Sequence, residues 1–105
     1  MKKLKFSSNL IELILNKTKD TTWRINDDKG LKIGDILSLS DGEKEFSKAE
    51  ILWVKETSFE HLTNEDKNGH ENFSSDEEMY KIYSGYYKIN IGAKTRLKVI
   101  KFKLI

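Results

Sequence analysis

The residues best suited to chemistry lie in one short stretch, where a lysine, a threonine and an arginine follow each other at intervals of three and two residues. They are Lys19, Thr22 and Arg24. An amine, a hydroxyl and a guanidinium that converge suit an anionic or carbonyl-bearing ligand, because all three donate hydrogen bonds. An amine and a hydroxyl can also do acyl chemistry, with a neutral lysine as base and the hydroxyl as nucleophile.

Acyl chemistry sets a condition on Lys19. Its pKa, ordinarily ~10.4, must fall by several units, through burial or through a cationic neighbour such as Arg24. A carboxylate such as Glu71 would raise that pKa, unless the carboxyl is itself protonated and acts as the acid. The alternative for the same residues is a solvated strand with a surface salt bridge worth ~0–1 kcal/mol.

The strand that carries this stretch is predicted at residues 21–25 from its β-branched and aromatic composition. Strict alternation along a strand would separate Lys19 from Thr22 and Arg24. A kink or bulge near Asp20 would bring the Lys19 amine round to their side.

Four further strands are predicted from alternating or apolar runs, at residues 4–6, 36–40, 46–56 and 97–104. Polar loops are expected at 26–30 and 67–72. Asp41-Gly42 predicts a hairpin turn. Thr63, with Asp66 three residues later, predicts the N-terminal cap of a short helical turn.

Two helices are predicted from apolar residues at helical spacing. The first begins at Asn9, where Glu12 completes a capping box, and buries a stripe of Leu10, Ile11, Ile14 and Leu15. The second begins at Ser74 or Ser75, ends near Gly85, and buries Met79, Ile82 and Tyr83. Strands with two helices favour an α+β fold or a small β-barrel decorated by helices, and the pattern does not choose between them.

Composition restricts the class of protein and its partners. The 105 residues form one domain, 1–105, with 34% charged residues and a net charge of only +2, so any nucleic-acid-binding face must be local. There is no cysteine and there are two histidines, so we expect no metal and no cofactor. No apolar run approaches ~18 residues and the N-terminus lacks the features of a signal peptide, so we expect a cytoplasmic location without membrane contact. We also expect a monomer.

Taken in order, the motifs resemble those of the ASCH domain family. An amphipathic helix precedes K-x-x-T-x-R at residues 19–24, K-x-G-D follows at 32–35, and V-I-K-F stands at 99–102. The resemblance spans nearly the whole chain. It implies an α+β fold, a small PUA-like β-barrel decorated by two main helices, of a superfamily that recurs in RNA-modifying and RNA-binding proteins.

Some bacterial ASCH proteins resemble amidohydrolases that remove the acetyl group of 4-acetylcytidine with a lysine, a threonine and a glutamate. The resemblance assigns the catalytic roles to Lys19 as base, Thr22 as nucleophile and Glu71 as acid or orienting group. Many members carry a glycine just before the lysine motif, which residues 16–18 lack. His70, beside Glu71, is expected to be a solvated loop histidine, with assistance in proton transfer as the alternative.

Aromatic residues among cations indicate a surface for single-stranded RNA, since bases stack on aromatic rings while cations meet phosphates. Trp23, Arg24 and Lys17 are the predicted ligand-binding residues. The first functional hypothesis is therefore binding of RNA or a modified nucleoside in a cleft lined by Lys19, Thr22, Arg24 and Glu71. Deacetylation of 4-acetylcytidine is the alternative, and a ribonuclease-like activity and a coregulator or adaptor module are weaker ones.

Overall fold

The computed structural model describes residues 1–27 and 29–105, and these fold around one five-stranded mixed sheet. Its strands are β1 (Lys2–Lys5), β2 (Thr21–Arg24), β3 (Ile36–Ser40), β4 (Glu45–Ser58) and β5 (Arg96–Leu104). The strand order is β1-β3-β4-β5-β2, with β1 parallel to β3 and the other neighbours antiparallel. The sheet curves into a half-barrel, so the predicted α+β fold is confirmed.

Within the described residues, three α-helices accompany the sheet: α1 (Ser8–Leu15), α2 (Asn64–Lys67) and α3 (Asp76–Tyr87). The predicted cap of α1 at Asn9 is wrong, because the N-cap is Ser7, two residues earlier, and the first turn closes with Leu10 N donating to Ser7 O. The predicted end of α3 at Gly85 is also wrong. The helix runs on to Tyr87 and ends at Lys88, whose φ of 57° is left-handed.

A bulge in β4 decides which residues face which side of the sheet. Alternation alone predicts Ala49, Ile51 and Trp53 on one face. In the structure Ile51 pairs with Phe102 and Trp53 pairs with Lys101, so Leu52 is the extra residue. Because one extra residue shifts the alternation, Trp53 lies on the opposite face from Ile51 and Val54 returns to the side of Ile51.

The sheet separates two apolar clusters, which is why β5 is buried on both faces in its middle part. Val99 and Ile100, neighbours in β5, are each 0% exposed. Ile100 joins the cluster under α1, which includes Ile14 and Phe102. Val99 joins the cluster under α3, with Trp23, Phe59, Met79 and Tyr83 among its members.

Strands β1 and β2 are the two edges of the sheet, and a side chain spans the gap between them. Arg24 Nη2 donates to Lys5 O at 3.0 Å, and the Arg24 guanidinium lies 4.7 Å from the centre of the Phe6 ring. We call this contact of Arg24 with Lys5 and Phe6 the seam. It joins the edges where no backbone ladder links β1 to β2 among the described residues.

The predicted loop at 26–30 includes Asp28, which lies outside the described residues. No helix in the described part of the chain is long and apolar enough to cross a membrane.

Asp66 is the buried carboxylate that fixes the turn under Trp23. Its side chain accepts from Lys55 Nζ at 2.8 Å and from Thr63 N at 3.0 Å, which completes the predicted cap. Its carbonyl accepts from Trp23 Nε1 at 3.1 Å. Burial opposes ionisation, but Lys55 and the Thr63 N–H outweigh it and hold the pKa of Asp66 below its ordinary value.

Replacement of Asp66 by alanine should lower the free energy of unfolding by roughly 1–3 kcal/mol, because a cap and a buried ion-pair partner are lost together. Urea denaturation measures this, with Glu65→Ala in the same turn as an exposed control. Because the folded-state pKa is depressed, the contribution is present above the unfolded pKa and should shrink as the pH falls below about 4. A difference between Asp66→Ala and wild type that stays constant down to pH 2 would contradict this account.

Candidate ligand-binding site

The end of α1 fixes the backbone of Lys19. Lys17 adopts a left-handed φ of 67°, and its N–H donates to Ile14 O at 3.0 Å. The Lys19 N–H then donates to Leu13 O at 2.9 Å. A left-handed residue just after the end of a helix is usually glycine, and here Lys17 adopts that conformation.

The loop that follows α2 is docked on the start of β2 by one carbonyl. Asp20 N and Thr21 N both donate to Gly69 O, at 2.9 and 3.1 Å. The Thr21 hydroxyl donates to Asn68 O at 2.8 Å. Because two consecutive N–H groups share one acceptor, the alternation of side chains between the two faces of the sheet begins only at Thr21. The direction of the Lys19 side chain is therefore not set by the alternation along β2.

The docked loop brings Glu71 to Lys19. Lys19 Nζ donates to Glu71 Oε2 at 2.7 Å and to Thr21 O at 2.7 Å. The Lys19 side chain is only 2% exposed, whereas that of Glu71 is 22% exposed. Burial lowers the pKa of Lys19 and Glu71 partly opposes this, while at Glu71 the neighbouring His70 and Lys19 outweigh the effect of burial and lower the pKa of the carboxyl.

Thr22 and Arg24 form the second polar pair. Arg24 Nε donates to the Thr22 hydroxyl oxygen at 3.2 Å, while the far end of the guanidinium makes the seam. The Thr22 hydroxyl therefore accepts from a cation and keeps its own proton for another partner.

His70 is buried, so the expectation of a solvated loop histidine is wrong. Its ring stacks on Trp23 with centroids 3.7 Å apart. Its Nδ1 lies 2.9 Å from Glu71 O, and its Nε2 lies 3.0 Å from the hydroxyl of Tyr83. Burial, with a smaller effect of Lys19, lowers the pKa of His70 to about 4, so the ring is neutral at neutral pH.

A pocket of about 280 Å³ lies between the seam and α3. Its polar lining includes Lys19, Thr22, Arg24 and Glu71, which brings together the residues predicted for a cleft. Its aromatic lining comprises Phe6, Trp23, Tyr83, Tyr86 and Tyr87.

Two of the predicted ligand-binding residues differ in their placement. Trp23 lines the pocket but is 3% exposed. Lys17 is exposed and borders a separate depression next to Leu52 and Leu104.

The sequence interpretation placed Tyr83 in a buried stripe and gave no role to Tyr87. Their spacing of four residues indicates a shared helix face, but not that this face borders a pocket.

In the part of the chain that the structure describes, no three His, Asp or Glu side chains are grouped to hold a cation. The polar groups that do converge are an amine, a guanidinium, hydroxyls and one carboxylate. Such a set can bind a polar organic ligand directly and can donate or accept protons.

Known structures match this fold. No protein-family model and no curated protein matches the sequence. An ASCH domain from Lactobacillus crispatus JV V101 matches with a TM-score of 0.72 at 15% identity, over 98% of this chain and 78% of that one. The chain has an ASCH-like fold. This confirms, for the fold, the resemblance indicated by the motifs.

Two further structures share the ASCH-like fold. Protein EF3133 from Enterococcus faecalis V583, described with the family DUF984, has a TM-score of 0.81 at 14% identity, over 99% of this chain and 79% of that one. Hypothetical protein PH0355 has a TM-score of 0.77 at 25% identity, over 100% of both chains. These similarities concern the fold, and the activity has to be argued from the pocket.

Gly69 should be required for the docked loop. Its φ is +78°, and a Cβ there would lie 1.8 Å from Asp20 Oδ1. Gly69→Ala should therefore displace the loop and lower the free energy of unfolding by at least about 1 kcal/mol. Thermal unfolding and the amide chemical shifts of residues 68–72 measure the two effects.

Gly85→Ala is the matched control, because Gly85 lies inside α3 and a Cβ there would meet nothing within 4 Å. This change should raise the free energy of unfolding by about 0.5–1 kcal/mol. Equal effects of the two substitutions would contradict the importance of the Gly69 position.

Proposed function

We propose that the pocket binds a nucleoside, either free or as an unstacked base of single-stranded RNA, with Lys19, Thr22, Arg24 and Glu71 as polar contacts. The observation that carries the proposal is the buried Lys19–Glu71 pair beside an aromatic-lined pocket. Buried charges with shifted pKa values that meet at a concave surface are typical of functional sites.

The ion pair alone is a poor explanation of fold stability. The free-energy cost of removing an ammonium and a carboxylate from water is about as large as the gain from their attraction. Apolar residues of similar volume often stabilise a core more than such a pair does. Glu71 keeps part of its surface in contact with solvent at the pocket. A ligand there would therefore meet a carboxylate that is already oriented by Lys19.

The aromatic lining supports a flat ligand. Tyr86 is 53% exposed and offers a ring face, and stacking of a base on an aromatic side chain contributes about 1–3 kcal/mol. Trp23 packs against His70, so we propose it as a wall of the pocket rather than as the stacking surface.

Arg24 and the exposed Lys5 supply positive charge for a phosphate. Lys17 is not part of the proposal, because it lies outside this pocket.

Lys19→Met and Glu71→Gln should each weaken binding of cytidine or 4-acetylcytidine by at least roughly tenfold, because each removes one member of a charged pair that contacts the ligand. Isothermal titration calorimetry measures the affinity, and circular dichroism checks the fold. Lys17→Met is the matched control: it removes a neighbouring lysine outside the pocket and should change affinity by less than about twofold.

Unchanged affinity of a correctly folded Lys19→Met variant would contradict the proposal. The same titration with single-stranded RNA at several salt concentrations distinguishes the two forms of ligand. Affinity that falls with salt and with Arg24→Ala indicates phosphate contacts, whereas salt-independent binding indicates a free nucleoside.

A second candidate is an amidohydrolase that deacetylates 4-acetylcytidine. Two observations favour it: burial lowers the pKa of Lys19, and the Thr22 hydroxyl borders the same pocket with its own proton unassigned. If Lys19 loses a proton, its two remaining N–H groups can keep their bonds to Thr21 O and Glu71, and a lone pair becomes available.

The reaction would proceed through an acyl-enzyme. Thr22 Oγ1 attacks the acetyl carbonyl carbon while Lys19 Nζ takes the hydroxyl proton. The C–N bond then breaks, and Lys19, oriented by Glu71, returns that proton to the departing cytosine nitrogen. Water attacks the ester carbon while Lys19 takes one of its protons. The C–Oγ1 bond then breaks, Lys19 passes this proton to Oγ1 to restore the Thr22 hydroxyl, and the acetic acid leaves as acetate after losing its proton to solvent.

Conversion of 4-acetylcytidine to cytidine and acetate, followed by liquid chromatography, tests this second candidate. Thr22→Val and Lys19→Met should each abolish turnover, and Lys17→Met should retain it. Because Lys19 acts in its neutral form, the rate should rise with pH through the pKa of Lys19, which lies below the ordinary value of ~10.4. Absence of turnover above the buffer rate would exclude the enzyme and leave the binding proposal standing.

A further inference from the structure

Tyr83 lines the pocket, and its hydroxyl already has a partner outside the pocket lining. The residue is 4% exposed. Its hydroxyl lies 3.0 Å from His70 Nε2. Burial, together with the nearby charge of Glu71, raises the pKa of Tyr83 well above its ordinary value, so the hydroxyl keeps its proton at neutral pH.

The partners of His70 assign its tautomer. Nδ1 faces Glu71 O at 2.9 Å and Glu71 Oε2 at 3.5 Å, and both oxygens can only accept. The proton of the neutral ring is therefore on Nδ1. Nε2 carries a lone pair, and it must accept the hydroxyl proton of Tyr83.

Packing holds this arrangement in place. The His70 ring stacks on Trp23 at an interplanar angle of 11°, and Tyr83 is nearly parallel to Tyr87, at 9°. A flipped His70 ring would direct carbon atoms at Glu71 O and at the Tyr83 hydroxyl. The orientation of the Tyr83 O–H bond is thus fixed before any ligand arrives.

We propose that Tyr83 determines ligand specificity by presenting only an acceptor to the pocket, which selects nucleobases that carry an exocyclic amino or acylamino N–H. Its proton is committed to His70, so the lone pairs of its oxygen are what remains for a ligand. This inference rests on the proposed function, and it specifies the ligand class of the same site.

The exocyclic groups of the bases explain why such a site prefers cytosine to uracil. Cytosine and adenine carry an amino donor where uracil carries a carbonyl acceptor. A carbonyl oxygen against the Tyr83 oxygen would bring two acceptors together with no proton between them. A site that leaves polar groups unpaired with the wrong ligand discriminates more strongly than one that only loses apolar contact.

Calorimetric titration of cytidine and uridine tests the inference. Wild-type protein should bind cytidine at least roughly tenfold more tightly than uridine, and Tyr83→Phe should reduce this preference to less than about threefold by weakening cytidine. Tyr80→Phe, the same change in the same helix outside the pocket, should keep the preference. His70→Asn should relax it while the Tyr83 oxygen remains, because the hydroxyl is then free to rotate and donate.

A second measurement reports the hydrogen-bond arrangement directly. The ¹⁵N shifts of His70 should show a protonated Nδ1 and an unprotonated Nε2 at neutral pH, and the reverse tautomer would overturn the inference. Equal binding of cytidine and uridine, unaffected by Tyr83→Phe, overturns this inference alone. If neither the two nucleosides nor single-stranded RNA binds, the proposed function fails and the inference falls with it.

Discussion

A lysine ammonium withdrawn from water requires a negative partner, and here that requirement joins two segments 52 residues apart. An unpaired charge as deep as that of Lys19 would be strongly destabilising. Glu71 reaches it because the Gly69 carbonyl holds the loop against the start of β2. His70 belongs to the same loop and packs on Trp23, so the ion pair and the aromatic wall are positioned by one docking event.

Elements with strong local signals were predictable from the sequence, and the departures arise where distant packing prevails. The Thr63–Asp66 capping box and the Ser75 cap of α3 depend on residues three apart, and both occur. The passage of α3 through Gly85 depends instead on Tyr87, which packs on the core and accepts from Ile25 N at 3.2 Å. Such a contact compensates the helix cost of glycine, about 1 kcal/mol, and no local pattern reveals it.

The candidate site divides in the same way. Residue type and spacing predict Lys19, Thr22 and Arg24, the family resemblance predicts the role of Glu71, and the four residues border one pocket. The environment of His70 was not predictable, because Trp23 and Tyr83 bury it from elements far away in the chain. A polar loop sequence indicates exposure on average, whereas a single loop residue becomes buried once its neighbours dock on a strand.

The seam has a consequence for how this architecture can change. A closed barrel fixes its circumference through strand number and register, so a wider cavity requires a new ladder. Here the two sheet edges are joined by the guanidinium of one arginine and the face of one phenylalanine. The width of the gap between β1 and β2 therefore depends on the length of the side chain that spans it. A shorter or longer residue in place of Arg24 can change this width while every strand keeps its pairing.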